Sequence, residues 1–210
     1  HMIMPLISSC NISCGAHAGS IEIIDKVIQL AVQHNVKIGA HPSFPDRQNF
    51  GRKVLNISNS KLQKSLEDQL TVFKERALLQ DATIHHVKPH GALYNLIAVN
   101  REKASVVIAA IQHVFEAVKL YVPYKSSIEE VAAQSGLEIV YEAFADRRYN
   151  EDLSLVSRTL SNALIVDKYE VLKQVQKISD KQLVTTVNLN EKEIKASTFC
   201  VHGDTKNAIE

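Results

Sequence analysis

The sequence predicts an α/β fold of parallel strands joined by right-handed helical crossovers, with a reduced (β/α) barrel favoured over an open doubly wound sheet. Three observations lead there. Short apolar runs alternate with amphipathic segments almost throughout, giving six or seven strand–helix units. Polar loops follow nearly every run, whereas an open sheet concentrates its ligand contacts at one switch point. Four histidines, His17, His41, His90 and His202, stand where an apolar run gives way to glycine or proline, the carboxyl edge at which α/β folds bind ligands.

The first strand is expected within Leu6 to Cys14, and a helix from Ser20, its N-cap, to His34 carries Ile24, Val27, Ile28 and Ala31 on one stripe. Val36 to Ala40 is the second strand. His41 to Arg52 has too many breakers for regular structure. The next helix spans Ser60 to Leu79, with Leu62, Leu66, Leu70, Phe73 and Ala77 inward. Ile84 to Val87 is the third strand, a helix runs from Arg101 to Val118, and Leu120 to Val122 is the fourth strand. A short helix, Ile128 to Gln134, ends at Gly136 before the fifth strand, Leu137 to Tyr141. Tyr169 to Ile178 is helical, Leu183 to Ser197 reads as a hairpin or edge excursion, and Thr198 to Val201 is the last strand. His1-Met2 reads as an expression remnant, a new helix starts after Thr205, and both ends are expected to be cut short.

At 210 residues the chain fits one domain able to bury a full core. Lys and Arg total 24 against 23 Asp and Glu, with no long block of one sign, which argues against nucleic acid as a partner. No apolar stretch approaches the roughly 20 residues of a membrane span. Three thiols, Cys10, Cys14 and Cys200, suit a reducing compartment, so a cytoplasmic location is expected.

Candidate chemistry gathers at the predicted strand exits. The loop from His41 to Arg52 holds an imidazole, Asp46 and the guanidiniums of Arg47 and Arg52 between two prolines, suited to an anion site or else to internal ion pairs. Lys88-Pro89-His90 offers an ammonium to polarise an oxygen and an imidazole to move a proton; a plain salt bridge is the alternative for Lys88. Glu142, Asp146 and Arg147 leave the fifth strand together, and two carboxylates on one cavity commonly divide acid and base roles. His202-Gly203-Asp204 adds an imidazole that Asp204 can orient, though Asp204 serves equally as a helix cap. Cys14 fits a nucleophile no better than a small buried residue. The histidines leave a divalent metal open, with His17 and His41 as its ligands, but HExxH and paired CxxC are missing, as are GxxxxGK[ST] and GxGxxG.

Five segments, in order, resemble the LamB/YcsF family, that of the 5-oxoprolinase A subunits: Asn11 to Gly19, Gly39 to Arg52, His86 to Asn95, Glu142 to Arg147 and Cys200 to Asp204. The resemblance implies a distorted, seven-stranded (β/α) barrel of the glycoside hydrolase/deacetylase type. It also implies ATP-dependent opening of 5-oxo-L-proline to L-glutamate with partner subunits B and C, which would handle the ATP. On that reading Lys88, His90, Glu142 and Asp146 are catalytic, while Asn11, His17, His41, Asp46, Arg47, Arg52, Arg147, His202 and Asp204 line the substrate site. The family's usual opening, Asp-Leu-Asn-x-Asp-Leu-Gly-Glu, is missing here, and Ala16 and Ser20 replace its usual Phe and Asp. A metal-dependent amide or N-acetyl hydrolase is one rival expectation, and a non-catalytic docking subunit is the other.

Overall fold

The computed structural model describes residues 2–203. Six parallel strands form one sheet: β1 Ser9–Ser13, β2 Lys37–His41, β3 Ile84–Val87, β4 Lys119–Val122, β5 Ile139–Phe144 and, last in the chain, β8 Thr198–Cys200, in the order β1-β2-β3-β4-β5-β8. The hairpin expected between Leu183 and Ser197 forms as β6 Leu183–Thr185 against β7 Glu191–Glu193. The described residues thus give six barrel-type strands, where the family resemblance implies seven.

Helices cover the outer flank for the reasons their stripes suggest. α1 Ile21–Gln33 is capped by Ser20, whose hydroxyl accepts from Ile23 N–H, and buries Ile24, Ile28 and Ala31. α2 Asn59–Leu78 buries Leu62, Leu66, Leu70, Phe73 and Ala77. α4 Arg101–Val114 and α5 Ser127–Gln134 follow, the latter opened by a reciprocal Ser126/Glu129 capping box. α6 Lys168–Lys181 begins on Asp167, which accepts from Tyr169 and Glu170 N–H.

Three stretches differ from the sequence expectation. β5 runs Ile139–Phe144 rather than Leu137 to Tyr141, so Glu142 lies within the strand and not at its exit. α3 Gly91–Val99 went unread because Gly-Ala-Leu-Tyr-Asn-Leu-Ile-Ala-Val is apolar on nearly every face and so lacks a helical stripe. α4 stops at Val114 rather than Val118, since Phe115 is already extended and Phe115 and Val118 turn into the core.

Contacts across the sheet show that it curls. In a flat sheet β3 and β8, three places apart, would stand about 14 Å from each other. Yet Lys88, just past β3, reaches Cys200 on β8 with Nζ 3.0 Å from Sγ. At the other side His86 of β3 crosses β2 to donate from Nε2 to Asn11 Oδ1 of β1 at 2.8 Å. That crossing needs Gly39 on β2: a Cβ there would sit 2.1 Å from His86 Nε2. His86 is fully buried and stacked on Tyr121 with ring centroids 3.8 Å apart, so it cannot step aside. The structure is therefore a half-barrel with a filled concave side.

Candidate active site

At the carboxyl edge the backbone of β3 continues one step, Lys88 N–H donating to Ala40 O at 2.9 Å, before Pro89 ends the ladder. His90 then caps α3 in extended conformation, and the first turn of α3 brings in Tyr94. Lys88 lies inside: its Nζ is 2.8 Å from Glu142 Oε1 of β5, and the two side chains are 5% and 2% exposed. The rings of Phe144 and Tyr94 flank the ammonium at 4.7 and 5.6 Å. Burial works against that charge, but Cys200 and Glu142 outweigh it and hold the Lys88 pKa above its ordinary value. Burial pushes the Cys200 thiol up to about 11, so it receives the lysine's hydrogen as a neutral group.

Beside this pair stand three imidazoles. His90 Nε2 donates to Phe50 O at 2.9 Å and His41 Nδ1 to Lys88 O at 2.6 Å; a carbonyl oxygen can only accept, so both outer nitrogens carry hydrogen. His41 Nε2 and His90 Nδ1 face each other at 2.9 Å. In the neutral rings both are lone pairs, and a proton entering there is shared. His17 stacks parallel on His90 with centroids 3.9 Å apart, its Nδ1 donating at 2.9 Å to Ser43 Oγ, which itself donates to Phe44 O. Gln69 of α2 fixes Ser43 by bonding both its N–H and its C=O at 2.9 Å.

The loop after β2 closes on these rings through left-handed residues Phe50 and Gly51, where a Cβ on Gly51 would come within 3.1 Å of His17 and His90. Asp46 Oδ1 accepts from Asn49 N–H and Nδ2, turning the loop, and its other oxygen is buried without a partner. Arg47 donates to Gly15 O and Gly19 O at 3.2 and 2.6 Å, tying the loops after β1 and β2 together. Arg52 sits at the rim with its guanidinium over the Phe50 ring at 5.0 Å.

On the far side Asp146, 3% exposed, accepts from His202 N–H at 3.0 Å and from His202 Nδ1 at 2.9 Å. His202 in turn stacks on Phe144, the ring that also flanks Lys88. Contacts therefore run unbroken from His17 through His90 and His41 to Lys88, which touches both Glu142 and Phe144, and on from Phe144 to His202 and Asp146. Two further expected substrate residues have partners within the protein. Asn11 is engaged by His86 deeper in the half-barrel, and Arg147, 5% exposed, donates to Ala163 O and Val156 O to hold the segment after β5. Asp204 lies outside the described residues.

The profile of the LamB/YcsF family matches residues 1–210. This chain belongs to the LamB/YcsF family. Among its relatives is the 5-oxoprolinase A subunit of Bacillus cereus (strain B4264), 40% identical over 209 residues, covering 99% of this chain and 83% of the relative. The 5-oxoprolinase A subunit of Staphylococcus aureus (strain bovine RF122 / ET3-1) is 41% identical over 209 residues, covering 100% and 84%. The crystal structure of a lactam utilization protein from Thermus thermophilus superposes with a TM-score of 0.92 at 32% identity, covering 99% of this chain and 84% of that one.

In this LamB/YcsF chain, among the described residues no three His, Cys, Asp or Glu side chains converge to hold an ion. His17 and His41 stand edge to face, 5.8 Å between centroids, with one nitrogen of each already anchored on an oxygen. No helix among the described residues is long and apolar enough to cross a membrane.

The cluster has a titration consequence. Burial, then the charges of His90, Arg47 and Arg52, lowers the His17 pKa to about 3. Burial likewise lowers His90 to about 4 and His86 to about 3. In the unfolded chain these rings take a proton near pH 6.5. Their contribution to stability is thus complete above that pH and is lost as the pH falls toward about 4, because the unfolded chain binds the protons first. The urea midpoint is expected to drop steadily between pH 7 and pH 4.5; a level midpoint would mean that the folded rings take up protons over the same range as the unfolded chain.

Proposed function

We propose that this chain is the A subunit of an ATP-dependent 5-oxoprolinase and that, with partner subunits B and C, it opens the lactam of 5-oxo-L-proline to L-glutamate in the cytoplasm. The observation carrying the reading is the buried Lys88–Glu142 pair set against uncharged, facing imidazoles at one strand edge. Its support from outside the chain is the naming of relatives 40–41% identical as 5-oxoprolinase A subunits. The half-barrel is read as part of a distorted seven-stranded (β/α) barrel of the glycoside hydrolase/deacetylase type.

A lactam carbonyl resists water because the ring nitrogen delocalises into it, and phosphorylation of its oxygen removes that protection. With no phosphate loop in this chain, the phosphoryl transfer belongs to the partners. Here the activated ring meets water. As water adds to the carbon, its proton passes to the lone pairs shared by His41 and His90. Lys88 offsets the negative charge growing on oxygen, and Glu142 holds the ammonium in place. The carbon–nitrogen bond then breaks with its electrons on nitrogen, which takes a proton from His202, oriented by Asp146, and leaves the γ-acyl phosphate of glutamate, from which a second water releases inorganic phosphate and the free carboxylate. Arg52 at the rim takes the substrate carboxylate. No step is routed through a metal.

Reconstitution tests the proposal. Lactam-dependent release of phosphate and glutamate by subunits B and C is expected to require this chain and to survive a chelator of transition metals, with the magnesium that accompanies ATP kept in excess. Release without the chain would reduce it to a docking role or none. Amide cleavage by the chain alone, lost with the chelator, would favour the metal-dependent hydrolase.

A further inference from the structure

Tyr94 is a buried phenol that the mechanism above does not use. It is 4% exposed, in the first turn of α3, with its ring edge-on to Phe144 at 5.7 Å and the Lys88 ammonium 5.6 Å from its centroid. Its hydroxyl has no hydrogen-bond partner of normal geometry, and neither has Glu142 Oε2. The two are neighbours: after burial itself, the Glu142 charge is the largest influence raising the Tyr94 pKa well above its ordinary value. A phenol hydroxyl and a carboxylate, neither the hydroxyl nor Oε2 making a hydrogen bond of normal geometry, thus lie close enough to influence one another, both out of reach of water. Such pairs are costly to leave unmade.

We propose that Tyr94 is a positioning residue for the lactam-opening reaction, its hydroxyl donating to Glu142 Oε2 when substrate is in place and so fixing Glu142 and, through Oε1, the Lys88 ammonium. The inference rests on the function proposed above. Tyr94 approaches no substrate atom; it acts through the carboxylate. Lys88 from β3, Cys200 from β8 and Tyr149 from the segment after β5 are the other titratable groups coupled to Glu142. Tyr149 is otherwise occupied, its hydroxyl oxygen accepting from Phe144 N–H at 2.7 Å.

The test is Tyr94→Phe in the complete complex with subunits B and C, beside Glu142→Gln. The turnover number is expected to fall about tenfold, the worth of a hydrogen bond to a charged group, while KM stays within about twofold. A fluorinated tyrosine at position 94, a stronger donor with the same ring, should restore the turnover number that Tyr94→Phe loses. The melting temperature should stay level or rise, since the variant deletes a partnerless buried hydroxyl. Wild-type rates in Tyr94→Phe, with Glu142→Gln inactive, would overturn the role of Tyr94 and leave the proposed function standing. An active Glu142→Gln would instead remove the function's site and this inference with it.

Discussion

Lys88→Met is expected to reduce lactam turnover by the complex about 1000-fold and to destabilise this protein by about 3 to 5 kcal/mol. The two effects have separate causes. Stability falls because Glu142, 2% exposed in its side chain, is left as a buried charge without its partner. Turnover falls because the positive charge beside the reacting oxygen is gone. The double variant Lys88→Met/Glu142→Leu separates them. Replacing a buried ion pair by apolar side chains of similar volume is often close to neutral, so urea unfolding should return most of the lost stability while turnover stays absent. Recovery of turnover in the double variant would show that the pair serves only the fold.

Gly39→Ala should cost about 3 kcal/mol, the upper end of what overpacking usually does to a core. The new methyl would lie 2.1 Å from His86 Nε2, and the imidazole has no exit between Asn11 and Tyr121. Unfolding midpoints of the single variants Gly39→Ala and His86→Ala and of their double should show the clash as coupling. The double should be less destabilised than the sum of the singles by about 1 kcal/mol or more. Additive effects would mean that β2 shifts to absorb the methyl.

Most strands could be read from the letters, because buried parallel strands are short apolar runs between polar loops, and β2, β3, β4 and β8 fall within a residue or two of expectation. α3 could not, since a helix apolar on all sides carries no period to detect. At the site, His17, His41, Lys88, His90 and His202 were identifiable by standing at strand ends, where glycine or proline marks the exit, and Glu142 and Asp146 by their closeness to the end of the fifth apolar run, although Glu142 itself lies within β5. Their neighbours were not. His86, Tyr94, Gln69 and Cys200 lie inside strands or helices with ordinary spacing, and their importance comes from what folding sets beside them. The arginines are harder to read for a related reason: the backbone carbonyls to which Arg47 and Arg147 donate are set beside them only by folding.

Lys88 faces two ways. Its carbonyl steadies His41, placed by β2, while its ammonium binds Glu142 and Cys200, placed by β5 and β8. A single residue therefore joins the early and late thirds of the chain like a keystone, and neither third can be loosened alone without disturbing the other. Nuclear resonances of His41 and Cys200 should accordingly broaden and recover together as denaturant rises, as one cooperative unit.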